Sequence, residues 1–448
     1  MGSGAFTAWV YSRPRHSGNR SLSYPLGDFD HRGFISAPAS AFFERTEAAA
    51  DIKLCVLSMK EVYLDYAAAT PLDRRVKRAM EPYWTEEYGN PSSIHGRGKK
   101  AHAAVAEARR LIAHILGCAS DEIIFTSGAT EADNLAVRGV MGARSQVKGD
   151  ARGHIVVSKI EHEAILRIAE ALEKEGHEIT YLAVDEHGIA APAAVTSALR
   201  PDTAFVSIGY ANHEIGTIQP IAEISKVVRA HRKERSPFPV FHIDGSHAAG
   251  FLTLDIRKLG VDLMTLSSGK VYGPKGVGCL FVRRGTPLEP LIWGGGQERG
   301  VRSGTENVPG IIGFAAALEL AEKKRTAESG RLIKLRDYFI AHLRSVFPEA
   351  ALNGHPTMRL PQNINISIPG VDGEAVVIYL DAQGIRAATG SACASLNTRQ
   401  SHVIEALGKN AEYTKGSLRF TLGKATTKKD VDYTIMVLKK IFMVIKRV

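Results

Sequence analysis

Cysteine is scarce in this chain: four residues in 448 (Cys55, Cys118, Cys279 and Cys393), with no CxxC and no paired spacing. That argues against a disulfide framework and against a structural zinc site, and no metal site is expected. Long apolar runs are missing as well. No stretch of about 18 consecutive apolar residues occurs, so a membrane-spanning helix is not expected. Charge of one sign is not segregated either, because 57 Lys and Arg are interleaved with 47 Asp and Glu for a net charge of +10. Such interleaving implies a generally basic surface rather than a nucleic-acid footprint, and no direct nucleic-acid contact is expected. Internal repeats and low-complexity segments are absent. These absences point to a soluble protein in a reducing, cytoplasmic setting. There a cysteine in a Gly/Ser-rich polar context, as Cys393 is in GSACAS, reads as a candidate nucleophile. Cys55, Cys118 and Cys279 read as small buried apolar residues.

What is present is an ordinary globular composition, 44% hydrophobic and 23% charged, on a chain longer than one core usually serves. Residues 1–58 scatter Ser, Pro, Gly and Arg among aromatics without periodicity and read as a poorly ordered N-terminal extension. Asp28, Asp30, Glu44, Glu47 and Asp51 make it too acidic for an organelle transit signal, and no h-region is present. Met59, directly before the first strand-like segment, would serve as an alternative translation start. Residues 59–74 read as a segment joining a smaller domain. Over 75–320 short apolar strands (IIFT, HIVVS, ITYLAV, AFVSIGY, PVFHID, LMTLSS, GCLFVRR) alternate with helix-like stretches such as VAEARRLIAHILG and EAILRIAEALEKEG. That alternation predicts an α/β domain built on a largely parallel sheet covered on both faces. From 321 to 448 a long charged helix, NINISIPG, the Cys393 segment, SLRFTLG and a last helix predict a smaller α+β domain.

Three stations in the large domain carry chemistry. In IIFTSGATEADNL a strand ends in Thr126, Ser127, Gly128, Ala129 and Thr130 and runs into a helix, so small residues and a helix N-terminus would suit a phosphate. Taken alone, this stretch reads first as a capped helix after a strand. In PVFHIDGSHAAG a strand delivers Asp244 to the edge where open parallel sheets bind ligands. A carboxylate there suits a protonated ring nitrogen, and it equally suits the cap of the following turn. In DLMTLSSGKVYGPKGVG a strand ends in Ser267, Ser268, Gly269 and Lys270. A lysine held between hydroxyls and glycines on a sharp turn suits covalent attachment of a carbonyl cofactor through a lowered pKa.

LDYAAATPLD, YGNPSSIHGRG, FTSGATEADNLA, SKIEHEAIL, HEIGTIQPI, KVYGPKGVG, GGGQERGVRSGTENV, GSACAS and LRFTLG follow one another in the order of the cysteine desulfurases of iron-sulfur and tRNA-thiolation pathways. From about residue 61 onward the chain resembles that family. The resemblance implies a fold-type I, aminotransferase-like homodimer with pyridoxal 5'-phosphate near the subunit interface. It implies that Lys270 holds the cofactor, Asp244 partners its ring nitrogen and His162 stacks on the ring. It makes Ala129, Thr130 and Ser267 phosphate neighbours and gives Thr305 the partner subunit's phosphate. Arg419 resembles the clamp on the substrate carboxylate, with Asn212 beside it, a role suited to a guanidinium fork. Cys393 resembles the nucleophile of the long-loop group that hands sulfur to iron-sulfur scaffolds or carrier proteins. The implied reaction takes sulfur from L-cysteine, leaving L-alanine and a Cys393 persulfide.

Three positions depart from the family pattern. The second of two adjacent asparagines is His213, the glutamine three residues after the aspartate is His247, and the histidine before the lysine is Gly269. His213 and His247 would still donate hydrogen bonds to the cofactor's phenolic oxygen, and their imidazoles are expected to titrate over roughly pH 6 to 8. The alternatives that these residues leave open are a selenocysteine lyase or related β-lyase, and a catalytically weakened partner-binding paralogue.

Overall fold

A computed structural model of the chain describes residues 61–148, 152–232, 236–390 and 400–445. The extension 1–58, Cys55 and Cys393 lie outside the described residues. Seven strands form the main sheet, in the spatial order Ile123–Thr126, Gly278–Val282, Leu263–Ser267, Val240–Asp244, Thr203–Ser207, His154–Ser158 and Glu178–Leu182. Gly278–Val282 is antiparallel to both of its neighbours, and every other pairing is parallel. All strands but that one therefore run in one direction and bring their carboxyl ends to one edge. The strands Thr203–Ser207 and His154–Ser158 are buried at every position. Such continuous apolar runs are what covering by helices on both faces demands. Ile124, Leu135, Val157, Phe205 and Leu280 pack on one face of the sheet. Phe125, Val156, Val206, Phe241 and Phe281 pack on the other.

A three-stranded antiparallel sheet, Ser417–Thr421, Asn363–Ser367 and Ala351–Leu352, organises a further cluster that includes Ile364, Ile366, Phe420, Phe339 and Leu438. Val62–Tyr63 pairs in parallel with Ile385–Arg386 beside it. A single helix, Val308–Val346, runs past the boundary drawn at 320/321. Phe314 and Leu318 in its first turns join the core of the large sheet, whereas Leu332, Phe339 and Leu343 in its last turns join the other cluster. Asn307 caps this helix by accepting from the Gly310 amide at 3.1 Å.

The strand segments read from sequence fall where the structure has strands: IIFT and HIVVS match to the residue, and the others differ by up to three residues at their ends. The helix Gly96–Leu116 begins nine residues before VAEARRLIAHILG, because His95 supplies a side-chain cap to the Gly98 amide that the Gly-rich start conceals. Among the described residues no helix is long and apolar enough to cross a membrane, and no cluster of His, Cys, Asp and Glu is arranged to hold a metal ion.

Candidate active site

The site forms where the parallel strands end. Asp244 and Ser267 close the strands Val240–Asp244 and Leu263–Ser267, His162 follows His154–Ser158, and Asn212 and His213 follow Thr203–Ser207. One cavity, about 340 Å³ including its open mouth, is lined by Glu161, His162, Asn212, His213, Asp244 and His247 among others. Five residues singled out in the sequence thus share one wall.

Lys270 ends a 3-10 turn directly after Ser267. Its Nζ donates to the carbonyls of Ala67 at 2.7 Å and Ala68 at 2.8 Å. Thr70 ties the same segment to the turn, its amide and hydroxyl both donating to the Gly269 carbonyl. Residues 65–70 therefore hold the lysine as closely as the sheet does. Lys275 lies nearby, with its Nζ 3.3 Å from the Thr70 carbonyl. Asp244 accepts from the Ser246 amide through Oδ1 at 2.8 Å, so it caps the turn as well as facing the cavity.

His162 caps the helix Glu163–Lys174: its Nδ1 accepts from the Ala164 amide at 3.1 Å, which leaves the ring proton on Nε2. Its ring meets that of His213 edge-on at 5.2 Å, and His213 faces His247 at 5.8 Å. Burial lowers the pKa of all three, with the Asp244 carboxylate opposing it at His162 and the Lys270 charge adding to it at His247. The expectation that His213 and His247 titrate over pH 6 to 8 is therefore corrected: both are held neutral well below that range. The group that titrates near neutrality is Glu161. Burial, and next the neighbouring Asp244 carboxylate, push it up to about 8. Its Oε1 accepts from the Gly209 amide at 2.6 Å. Behind the cavity the fully buried Asp133 is raised well above the carboxylate range by burial and by Asp244. Burial also holds its neighbour His242, 3.6 Å away, at about 3.

The remaining candidates are placed as follows. Arg419, 2% exposed, lies mid-strand in Ser417–Thr421 and donates to Asp65 Oδ1 at 2.9 Å and to the His213 carbonyl at 3.3 Å. Asn212 is turned inward: its Nδ2 donates to the Ile160 carbonyl, and its Oδ1 accepts from the amides of Glu214 and Ile215. Thr130 is exposed on the first turn of the helix Ala129–Lys148, and it lines a second groove together with His162. Thr305 is exposed and is not brought to the cavity. Its loop is anchored by Glu298, which pairs with Arg109 at 2.5 Å and accepts from the Phe125 amide at 2.9 Å. Cys279 is buried as read, whereas Cys118 is only half-buried; burial raises both thiols, Cys118 to about 12.

Sequence reading missed Asp65, Asp133, Glu161 and Glu214. All four lie inside quoted motifs, and an acid between a strand end and a histidine, as in KIEHE, was the available signal for Glu161.

The chain's residues 62–434 match the family model described as aminotransferase class-V, and the chain belongs to that family. A relative called cysteine desulfurase IscS, from Dictyoglomus turgidum, is 49% identical over 382 residues, covering 85% of this chain and 94% of that protein. A solved structure titled NifS-like protein superposes with a TM-score of 0.79 at 34% identity, over 86% of this chain and 100% of that one. Another, titled SspA in complex with cysteine, gives a TM-score of 0.71 at 32% identity, over 81% and 99%. Within the class-V family, then, this chain is a cysteine desulfurase.

Proposed function

We propose that the chain binds pyridoxal 5'-phosphate on Lys270 and transfers sulfur from L-cysteine to Cys393, giving L-alanine and a persulfide. The observation that carries this reading is the single cavity in which His162, His213, Asp244 and His247 converge at the strand ends. The cavity and the neighbouring loops at the strand ends suit a heteroaromatic phosphate. His213 Nε2 and Ser246 Oγ are buried without hydrogen-bond partners. A side chain at Gly128 would meet no atom within 4 Å, so backbone lies open at the start of a helix of 20 residues. Asp244 has a carboxylate for a ring nitrogen, and the His162 ring has a face for stacking.

When bound, the cofactor withdraws electrons from the amino acid's Cα, which makes its proton removable and weakens the Cβ–S bond. The protein's own groups do the rest. Arg419 exchanges Asp65 for the substrate carboxylate and so orients the amino acid. Lys270, the residue that would hold the cofactor, would with its amine free take the Cα proton and return it. His162, with its proton fixed on Nε2, stays neutral beside the ring. The Cys393 thiolate attacks the substrate sulfur: an S–S bond forms, the Cβ–S bond breaks with its electron pair left on carbon, and protonation of that carbon yields alanine. The acceptor downstream is an iron-sulfur scaffold or a sulfur-carrier protein, and the working form is a cytoplasmic homodimer in which Thr305 reaches the partner's site.

Alanine released from L-cysteine by the purified protein tests the reading. Cys393→Ser should abolish alanine formation from cysteine. Undiminished turnover of selenocysteine or of a cysteine conjugate by that variant, with none of cysteine by the parent, would favour a β-lyase instead.

A further inference from the structure

His213 stands where the family pattern has the second of two asparagines, on the turn at 212–217. Its side chain is nearly inaccessible, it lines the cavity, and its Nε2 has no hydrogen-bond partner. Glu214 Oε1 lies 3.7 Å from that nitrogen, beyond hydrogen-bond reach. A buried ring nitrogen without a partner is costly, and a ligand in the cavity would relieve that cost. Such a role needs a turn that holds the ring in one place.

Four successive carbonyls of this turn accept hydrogen bonds from the strand Asn363–Ser367, from the residues just before it, or from its neighbour Ser417–Thr421. Arg419 Nη1 donates to the His213 carbonyl at 3.3 Å. Asn363 and Asn365 both donate through Nδ2 to the Glu214 carbonyl, at 2.9 and 3.2 Å. Arg359 donates to the Ile215 carbonyl at 2.8 Å, and the Leu360 amide donates to the Gly216 carbonyl, also at 2.8 Å. The donors are tied to other buried groups in turn. Asn363 Oδ1 accepts from Arg359 at 3.2 Å, and Asn365 Oδ1 accepts from Asn353 at 2.7 Å. Within the turn, Asn212 Oδ1 accepts from the Glu214 and Ile215 amides. A buried polar network satisfied in this way admits one arrangement of the chain, and so it sets where the His213 ring lies.

We propose that Asn365 and Asn363 are positioning residues for the cofactor: by holding the Glu214 carbonyl they fix the turn that keeps His213 in the cavity wall. This rests on the functional reading above, in which the His213 imidazole meets the bound cofactor. Asn365 lies opposite Arg419 in the ladder. The sheet that carries the substrate clamp therefore also sets a hydrogen bond to the cofactor, although neither asparagine touches it.

The test titrates pyridoxal phosphate into the cofactor-free parent, Asn365→Ala, His213→Ala and the double variant, and follows the visible absorption. His213→Ala should raise Kd about tenfold, the scale of one hydrogen bond, and Asn365→Ala about fivefold. The double variant should be no more than about twofold weaker than His213→Ala alone, because the asparagine acts through the histidine. A merely structural role would instead add its own loss. In the cofactor-free protein, hydrogen exchange of the Glu214 and Ile215 amides should rise about tenfold in Asn365→Ala. Asn363→Ala, alone and with His213→Ala, reads the same carbonyl should Asn365→Ala fail to fold. Losses that add, to about fiftyfold in the double variant, would overturn the proposal, as would an unchanged Kd or unchanged exchange in the asparagine variants. A parent that binds no pyridoxal phosphate would remove the functional reading and this inference together, whereas additive losses in a parent that binds it would remove the inference alone.

Discussion

The two sheets reach the site in opposite ways. The seven-stranded sheet offers it strand ends: Asp244, Ser267 and Lys270, with His162 and His213 one turn further on, sit on loops at a single edge. The three-stranded sheet offers a side chain from mid-strand, Arg419, opposite Asn365 in the ladder and nearly inaccessible. Loop residues at a parallel edge leave space for a ring and a phosphate. A buried arginine must first have a partner, and Asp65 is that partner here. On the proposed reading, the cofactor side presents open loop ends, whereas Arg419 on the substrate side is held in an ion pair with Asp65 that a substrate carboxylate would have to displace.

The sharpest way to break this comparison is at Lys270. Lys270→Ala should lose the visible absorption of the bound cofactor and reduce alanine formation by about a thousandfold or more, the scale seen when a covalent group is removed. Borohydride reduction and peptide mapping of the parent should place the label on Lys270, and a label on Lys275 would contradict the assignment. Arg419→Ala should raise KM for cysteine and also destabilise the protein by about 3 kcal/mol, because it strands Asp65. Thermal unfolding alongside kinetics separates the two effects. Asp65→Asn removes the competitor and leaves the guanidinium, so KM should fall about two- to tenfold with kcat little changed. An unchanged KM would mean that Asp65 does not compete.

The next effect is on stability and pH. Glu161 is raised from its ordinary value of 4.5 to about 8, by burial first and by Asp244 second. A carboxyl whose folded pKa lies above its unfolded value binds more protons in the folded state between the two. The stability it contributes is whole below about pH 4.5 and is lost as pH rises through 8. Cofactor-free protein should lose up to about 5 kcal/mol over that window, and Glu161→Gln should flatten the loss. Parallel unfolding profiles for the two proteins would contradict it. The smallest effect is at the two histidines that depart from the usual family pattern. His213→Asn with His247→Gln should leave the shape of the activity profile between pH 6 and 8 unchanged, since burial already holds both imidazoles neutral. A profile that flattens in the double variant would show that they titrate there after all.

Much of the large sheet was legible because each strand is a short apolar run ending in small or polar residues, and Asp244 and Lys270 close two such runs. His162 was legible only through the company of its motif. The carboxylates were not. Asp65, Glu161 and Glu214 stand at a bridge, just after a turn and in a turn, where an acid ordinarily reads as a solvated cap, and only the fold brings them largely out of water. Asn212 had the converse problem: its side chain closes its own turn, a role that spacing does not distinguish from substrate contact. The boundary at 320/321 misread the long helix, since a helix serving two cores changes its buried partners without any break in sequence.

The most direct test of the account is to incubate the pyridoxal phosphate-loaded protein with one equivalent of L-cysteine and to map its thiols by mass spectrometry while alanine is counted. The account predicts alanine and persulfide in equal amounts, with the extra sulfur on Cys393 and none on Cys118 or Cys279. Alanine formed without a persulfide on Cys393, or a persulfide on another cysteine, would contradict it.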